Sequence, residues 1–319
     1  MRDFRVDNHG VGIAARDYGG TGQTVLLVHG LGGNVLDWAW IAPRLRHRYH
    51  VVALDLRCHG GSDDGEWTWK SGLSDVAAVA AAVGAENPAV VGHSMAGILA
   101  VLWGVDHPDC PGVVNLDGHG LARGDQFPGI AEQTVAEWWR DYREFAYADW
   151  AAMAGELSRE QIDALRDQAR DLAARFGVDE DLMLEELHRG LRTRAGTTHI
   201  RPDPTGTGRK MMEDTFGFDV FQLYPDVRCP VLIVCAGADL PQGMVPEKFM
   251  GFLSARRDGV LRNLEQLSKS VPMLRVTAVN AAHAMIIERP REVADAIALF
   301  LGGDGGDGGG AASQAVSPR

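Results

Sequence analysis

A serine between small residues is the first feature of this sequence that could do chemistry. The apolar run Ala89–Val91 predicts a short buried strand, and the string GHSMAG at residues 92–97 separates it from an apolar helical stretch. A strand, a sharp turn with serine at its tip and a helix form the geometry called a nucleophile elbow. The tight turn requires small neighbours, and Gly92 and Ala96 meet that requirement. The pattern therefore predicts that Ser94 is a nucleophile.

A serine hydroxyl stays protonated at neutral pH, so it needs a base, usually histidine, and a third group that orients that base. In a parallel α/β sheet such groups lie in the loops that follow the strands. Three such loops carry Ser94, Asp239 and His283, in that chain order. Asp117, which follows the apolar run after the elbow helix, is an alternative acid.

The elements that must position these residues alternate between continuous apolar strands and helical stretches. This alternation predicts a mostly parallel central sheet with helices on both faces. An antiparallel hairpin is expected first, with its turn at Asp7-Asn8-His9-Gly10. The apolar strands are expected at residues 24–28, 50–56, 89–91, 112–116, 231–236 and 273–279.

Strand signals vanish between residues 121 and 216, where helical patterns dominate. We expect this stretch to form a helical cap or lid inserted into the fold, with a hinge-like loop at residues 197–209. Residues 1–120 and 217–301 would then form the two parts of the core. The Gly-rich tail, residues 302–319, is expected to be disordered.

The chain resembles the α/β-hydrolase fold superfamily. The resemblance rests on His29-Gly30-Leu31-Gly32-Gly33, the stretch 55–62 (DLRCHGGS), the elbow, the strand 230–239 and His283 ahead of Glu288-Arg289-Pro290. These segments are specific for the fold and much less specific for the substrate.

The resemblance implies a role for each site residue. Ser94 would attack, His283 would act as general base and then acid, and Asp239 would orient His283. The backbone N–H groups of Leu31 and Met95 would form the oxyanion hole, where each donor is typically worth roughly 3 kcal/mol of barrier. We prefer Asp239 to Asp117 because Gly-x-Asp after an apolar strand is the commoner pattern in the superfamily.

Four further residues are candidates for binding the substrate. Gly30 lies in the oxyanion loop, and His119 follows Asp117 at the entrance to the helical segment. Trp138 and Trp139 lie on a predicted helix of that segment, where they would either line the pocket or pack within the lid. From these aromatic residues we expect a substrate with a sizeable hydrophobic acyl or ring portion.

Composition limits the possible partners and location. The 319-residue chain has a formal net charge of −12, which argues against nucleic acid and anionic membranes. No His/Asp/Glu cluster has metal-ligand spacing and no G-x-G-x-x-G follows a strand, so we expect neither metal nor nucleotide cofactor. The four scattered cysteines indicate reduced thiols, and the N-terminus lacks an apolar signal segment; we therefore expect a cytoplasmic protein.

These features together favour a cofactor-independent serine hydrolase that cleaves a carboxylic ester or lactone through an acyl-enzyme on Ser94. The same triad would also serve cleavage of a C–C bond in a β-diketone-type compound, or hydrolysis of an amide or thioester. A ligand-binding protein without activity on the same scaffold is a third possibility. The sequence leaves the oligomeric state open.

Overall fold

The computed structural model of the chain describes residues 1–303. Nearly all of the Gly-rich tail, from residue 304 on, lies outside the described residues, so the expectation of disorder there is not addressed. The described chain has a central eight-stranded sheet and a separate two-stranded one.

The central sheet follows the order β1-β2-β4-β3-β5-β6-β9-β10. The pairs β1–β2 and β2–β4 are antiparallel, and all other neighbours are parallel. The mostly parallel sheet predicted from the apolar runs is thereby confirmed. Its strands are β1 (Arg2–Asn8), β2 (Val11–Gly19), β3 (Thr24–Val28), β4 (His50–Leu54), β5 (Ala89–His93), β6 (Val113–Leu116), β9 (Val231–Ala236) and β10 (Leu274–Val279).

Helices cover both faces of this sheet, and so the central strands are apolar throughout. Alternate residues of β3 enter separate cores: Leu26 and Val28 pack on one face, Val25 and Leu27 on the other. The helices are α1 (Ala42–Leu45), α2 (Trp69–Ala82), α3 (Met95–Asp106), α4 (Glu132–Ala151), α5 (Arg159–Phe176), α6 (Glu180–Arg189), α7 (Thr207–Phe216), α8 (Glu247–Ser268), α9 (Met285–Glu288) and α10 (Pro290–Leu301).

The chain between β6 and β9 is mostly helical and carries α4 to α7. It also contains a short antiparallel hairpin, β7 (Leu191–Arg194) and β8 (Thr197–Ile200). The expectation that this region has no strands is therefore wrong. The hairpin has no apolar alternation because its residues are exposed or only partly buried. The expected hinge loop at residues 197–209 instead begins with β8 and ends in α7.

Candidate active site

Ser94 lies at a strained turn between β5 and α3. Its backbone has φ +56° and ψ −122°, a conformation that non-glycine residues rarely adopt. The turn is tight enough that a Cβ on Gly92 would overlap the Ala96 carbonyl, and one on Gly118 would overlap the carbonyl of Ser94 itself. The glycines are thus a steric condition for the turn that presents the Ser94 hydroxyl at the carboxyl edge of the sheet.

His283 follows β10 and lies between the serine and a carboxylate. Its Nε2 is 2.9 Å from Ser94 Oγ, and its Nδ1 is 2.6 Å from Asp117 Oδ2. A carboxylate only accepts hydrogen bonds, so Nδ1 carries the proton and Nε2 presents a lone pair to the serine hydroxyl. This tautomer is the one that a general base for Ser94 needs.

The Asp117 carboxylate is held by three donors. Besides His283, the His119 Nε2–H and the Ala236 backbone N–H donate to Oδ1, at 3.0 and 2.9 Å. Burial by itself would raise the pKa of Asp117, but the hydrogen bonds from His119 and His283 outweigh it and lower that pKa below its ordinary value. Asp117 is therefore ionised, and its charge can stabilise a protonated His283.

Asp239 does not contact His283, so the expectation that it orients the histidine is wrong in this structure. Its Oδ1 is paired with Arg257 Nη1 at 2.6 Å, and its side chain is 55% exposed. Asp239 follows β9 and Asp117 follows the neighbouring strand β6, so both acids lie at the same edge. The alternative acid, Asp117, is the one that the structure brings to His283.

His93, inside the elbow, holds the backbone of His283. Its Nε2–H donates to the His283 carbonyl at 2.8 Å, and the two ring centroids are 5.0 Å apart. Burial is the main cause that lowers the pKa of His93 to about 4, and the proximity of His283 lowers it in the same direction. The ring is therefore neutral at pH 7. His93 therefore positions the base.

The loop after β3 approaches the serine from the other side. A Cβ on Gly30 would lie 3.0 Å from the Ser94 Cβ, so the backbone passes directly beside this serine. Two buried histidines fix the loop: His29 Nδ1–H donates to the Gly30 carbonyl at 2.7 Å, and His59 Nε2 accepts from Gly32 N at 3.1 Å. Gly30 thus adjoins Ser94 but is not among the residues that line the cavity described below, so its contact with the substrate stays a prediction.

The two backbone N–H groups predicted to form the oxyanion hole both lie near Ser94, one as its neighbour in the chain and one in an adjacent loop. Met95 N begins α3, and Leu31 N belongs to the loop beside Ser94. Within residues 1–303 neither N–H group donates to another protein atom. Both donors therefore remain available to an oxyanion.

A cavity of about 190 Å³ opens onto Ser94, Asp117 and His283. Of the residues predicted to bind substrate, His119 and Trp139 line it. Trp138 does not: it is 39% exposed and borders a separate groove beside Phe249 and Phe252, so its expected role in the pocket is corrected. Consecutive residues of α4 point about 100° apart, which directs Trp139 inward and Trp138 outward.

One wall of the cavity is not predicted from the sequence. It is formed by α8, whose Met250, Leu253, Arg256 and Arg257 line the same cavity as Ser94 and His283. No pattern in the sequence indicates that this face of α8 lies over the site.

The helical chain between β6 and β9 contacts the site at several points. Trp150, at the end of α4, packs against Gly32 of the oxyanion loop. Arg189, at the end of α6, donates two hydrogen bonds to the buried Asp55 carboxylate, at 2.7 and 3.0 Å. These contacts anchor the segment to the core beside Ser94.

Within residues 1–303, no group of three or more His, Cys, Asp or Glu side chains has the geometry to hold a metal ion. None of the helices in the same range is both long and apolar enough to cross a membrane.

Residues 25–296 match the family model described as the alpha/beta hydrolase family. The chain is 36% identical over 98 residues to a fluoroacetate dehalogenase from a Burkholderia species, which covers 28% of this chain and 32% of that protein. It is 31% identical over 157 residues to the pimeloyl-[acyl-carrier protein] methyl ester esterase of Aeromonas hydrophila, covering 46% and 61%. The alignments thus span from about a third to under two thirds of these relatives.

Among solved structures, the chain is similar to E-2-(acetamidomethylene)succinate hydrolase, with a TM-score of 0.66 at 22% identity. The match covers 94% of this chain and 99% of that one. At this identity the similarity concerns the fold.

Proposed function

The chain belongs to the alpha/beta hydrolase family, and within it we propose a serine hydrolase that cleaves a small carboxylic ester or lactone. The observation that carries the proposal is the unbroken chain of hydrogen bonds from Ser94 Oγ through His283 to Asp117. The name of the Aeromonas relative, a methyl ester esterase, agrees with this chemistry.

In the proposed reaction, Ser94 Oγ attacks the substrate carbonyl while His283 Nε2 takes its proton. The negative charge that develops on the carbonyl oxygen is stabilised by Leu31 N–H and Met95 N–H. His283 then gives the proton to the leaving alcohol, and the acyl group stays on Ser94. A water molecule, deprotonated by His283, attacks the acyl-enzyme and releases the acid.

The cavity favours a small substrate. Its volume of about 190 Å³ is below the roughly 300–1,000 Å³ of pockets for drug-sized ligands. Trp139, Tyr142 and Phe216 supply an aromatic wall, which suits an apolar portion of the substrate. We further propose that residues 121–216 act as a lid, because Trp139 lines this cavity and Trp150 packs on the oxyanion loop.

The test compares two serines of the same cavity. Ser94→Ala should abolish hydrolysis of 4-nitrophenyl acetate, 4-nitrophenyl butyrate and a small lactone, because it removes the nucleophile. Ser254→Ala is the matched control, since Ser254 lines the cavity but contacts Arg257 and not His283. Full turnover by a folded Ser94→Ala protein would overturn the proposal.

A further inference from the structure

Arg256 presents a cation to the catalytic cavity without an acidic partner. Its Nη2 donates to the Gly120 carbonyl at 2.7 Å, and its guanidinium carbon lies 5.0 Å from the Trp139 ring centroid. Its Nε is inaccessible to solvent and has no hydrogen-bond partner. Within the described residues, no carboxylate forms an ion pair with this guanidinium, and only one of its nitrogens donates a hydrogen bond.

The acidic groups of the same cavity already have partners. Asp117 accepts from His283 and His119, and Asp239 is paired with Arg257. Arg257, the neighbour of Arg256 on α8, also binds Asp258. Arg256 therefore has no direct ion-pair partner within residues 1–303; the nearby charge of Asp117 favours its charged form, but burial outweighs that effect.

A guanidinium that is largely removed from water and has no ion-pair partner is costly, because it cannot release its proton to become neutral. Burial opposes the charged form, and it lowers the pKa of Arg256 from its ordinary value. The planar fork of N–H donors matches the two oxygens of a carboxylate. A ligand with a carboxylate would supply the missing hydrogen bonds and the missing charge.

We propose that Arg256 binds a free carboxylate of the substrate, so that the substrate is a half-ester of a small dicarboxylic acid or a lactone bearing a carboxylate. This inference rests on the proposed function and narrows its substrate class. Ser94 and Arg256 line one small cavity, so the ester carbonyl and the carboxylate are separated by a short chain. The ring of Trp139 beneath the guanidinium keeps it aimed at the cavity.

If Arg256 had only a structural role, that role would be its hydrogen bond to the Gly120 carbonyl. Arg262, six residues further along α8, makes the same kind of bond to the Gln126 carbonyl, at 2.9 Å. Arg262 is exposed and does not line the catalytic cavity. It therefore provides a matched control that removes an equivalent arginine-to-carbonyl bond from the same helix.

The experiment measures kcat/KM for monomethyl succinate, which is anionic, and for methyl butyrate, its neutral counterpart of equal chain length. Wild type should prefer the anionic ester. Arg256→Gln should lower that preference by about 10- to 100-fold, as for the loss of hydrogen bonds to a charged group. Arg256→Lys should retain part of it, and Arg262→Gln should leave the ratio unchanged. Equal losses on both esters in Arg256→Gln, or no anionic preference in wild type, would overturn the proposal.

Calorimetric binding of succinate, compared with its neutral diamide, separates this inference from the proposed function. Wild type should bind succinate in preference to the diamide, and Arg256→Gln should lose that preference. If neither methyl ester is hydrolysed but succinate binding depends on Arg256, the esterase proposal fails and the carboxylate site stands. If wild type does not distinguish succinate from the diamide, the carboxylate site is refuted, whether or not the variant folds.

Discussion

Asparagine substitutions at Asp117 and Asp239 should show which of these two aspartates assists His283 in the reaction. In Asp117→Asn, the amide oxygen must face the two donors at Oδ1, His119 Nε2–H and Ala236 N–H, because an NH₂ group cannot accept from them. The NH₂ group then donates to His283 Nδ1, so Nδ1 must be the unprotonated nitrogen of the ring. The proton moves to Nε2, and the imidazole no longer accepts the Ser94 proton.

The size of the loss follows from this change of tautomer. An aspartate-to-asparagine exchange that leaves a triad in the wrong tautomer lowers kcat by about 10⁴-fold, which corresponds to about 5 kcal/mol of barrier. Asp239→Asn should change kcat by less than about 3-fold, because Asp239 is bound to Arg257 and is largely exposed.

The assay is steady-state hydrolysis of 4-nitrophenyl butyrate by wild type and the two asparagine variants, with circular dichroism to verify that each is folded. The reasoning would be refuted if Asp117→Asn kept more than a tenth of the wild-type kcat. It would equally be refuted if Asp239→Asn lost as much activity as Asp117→Asn.

Three further changes test individual contacts. His119→Ala removes one donor to Asp117, and kcat should fall about 10-fold in the same assay. An unchanged kcat would contradict a role for this hydrogen bond. Burial raises the pKa of Glu186 to about 7, so the free energy of unfolding falls between pH 4.5 and pH 7. Glu186→Gln should therefore increase the free energy of unfolding at pH 8 by at most about 3 kcal/mol, and much less at pH 4.5; equal gains at the two pH values would contradict this. Gly118→Ala should cost about 1–3 kcal/mol in urea unfolding, because its Cβ would overlap the Ser94 carbonyl; an unchanged midpoint would contradict the steric argument.

The sequence predicts the middle of the central sheet well because the strands there are buried on both faces. All residues of β5 and β9 are buried, and so Ala89–Val91 of β5 and the whole of β9 appear as continuous apolar runs. The hairpin β7–β8 escapes prediction for the opposite reason: its eight residues are polar or half-exposed and carry no burial pattern. The helical segment is recognisable, but which of its faces covers the site depends on tertiary packing.

The choice between Asp117 and Asp239 shows what spacing cannot resolve. Strands β6 and β9 are neighbours, and each is followed by an acid at the same edge. Which carboxylate reaches His283 depends on the turn after each strand: Asp117 takes a positive φ of 56°, and Asp239 pairs with Arg257 of α8. Neither the strained turn nor the arginine partner can be read from the chain order. Arg256 escapes prediction in the same way, because only the packing of α8 places it in the cavity.

Covalent labelling with a fluorophosphonate tests the central claim most directly, because the reagent reacts with a serine only when a neighbouring base activates it. Mass spectrometry of the digested, labelled protein should locate a single adduct on the peptide containing Ser94, and Asp117→Asn should slow the labelling strongly while Asp239→Asn does not. An adduct on another serine, or no adduct on the folded wild-type protein, would contradict the assignment of Ser94 as an activated nucleophile.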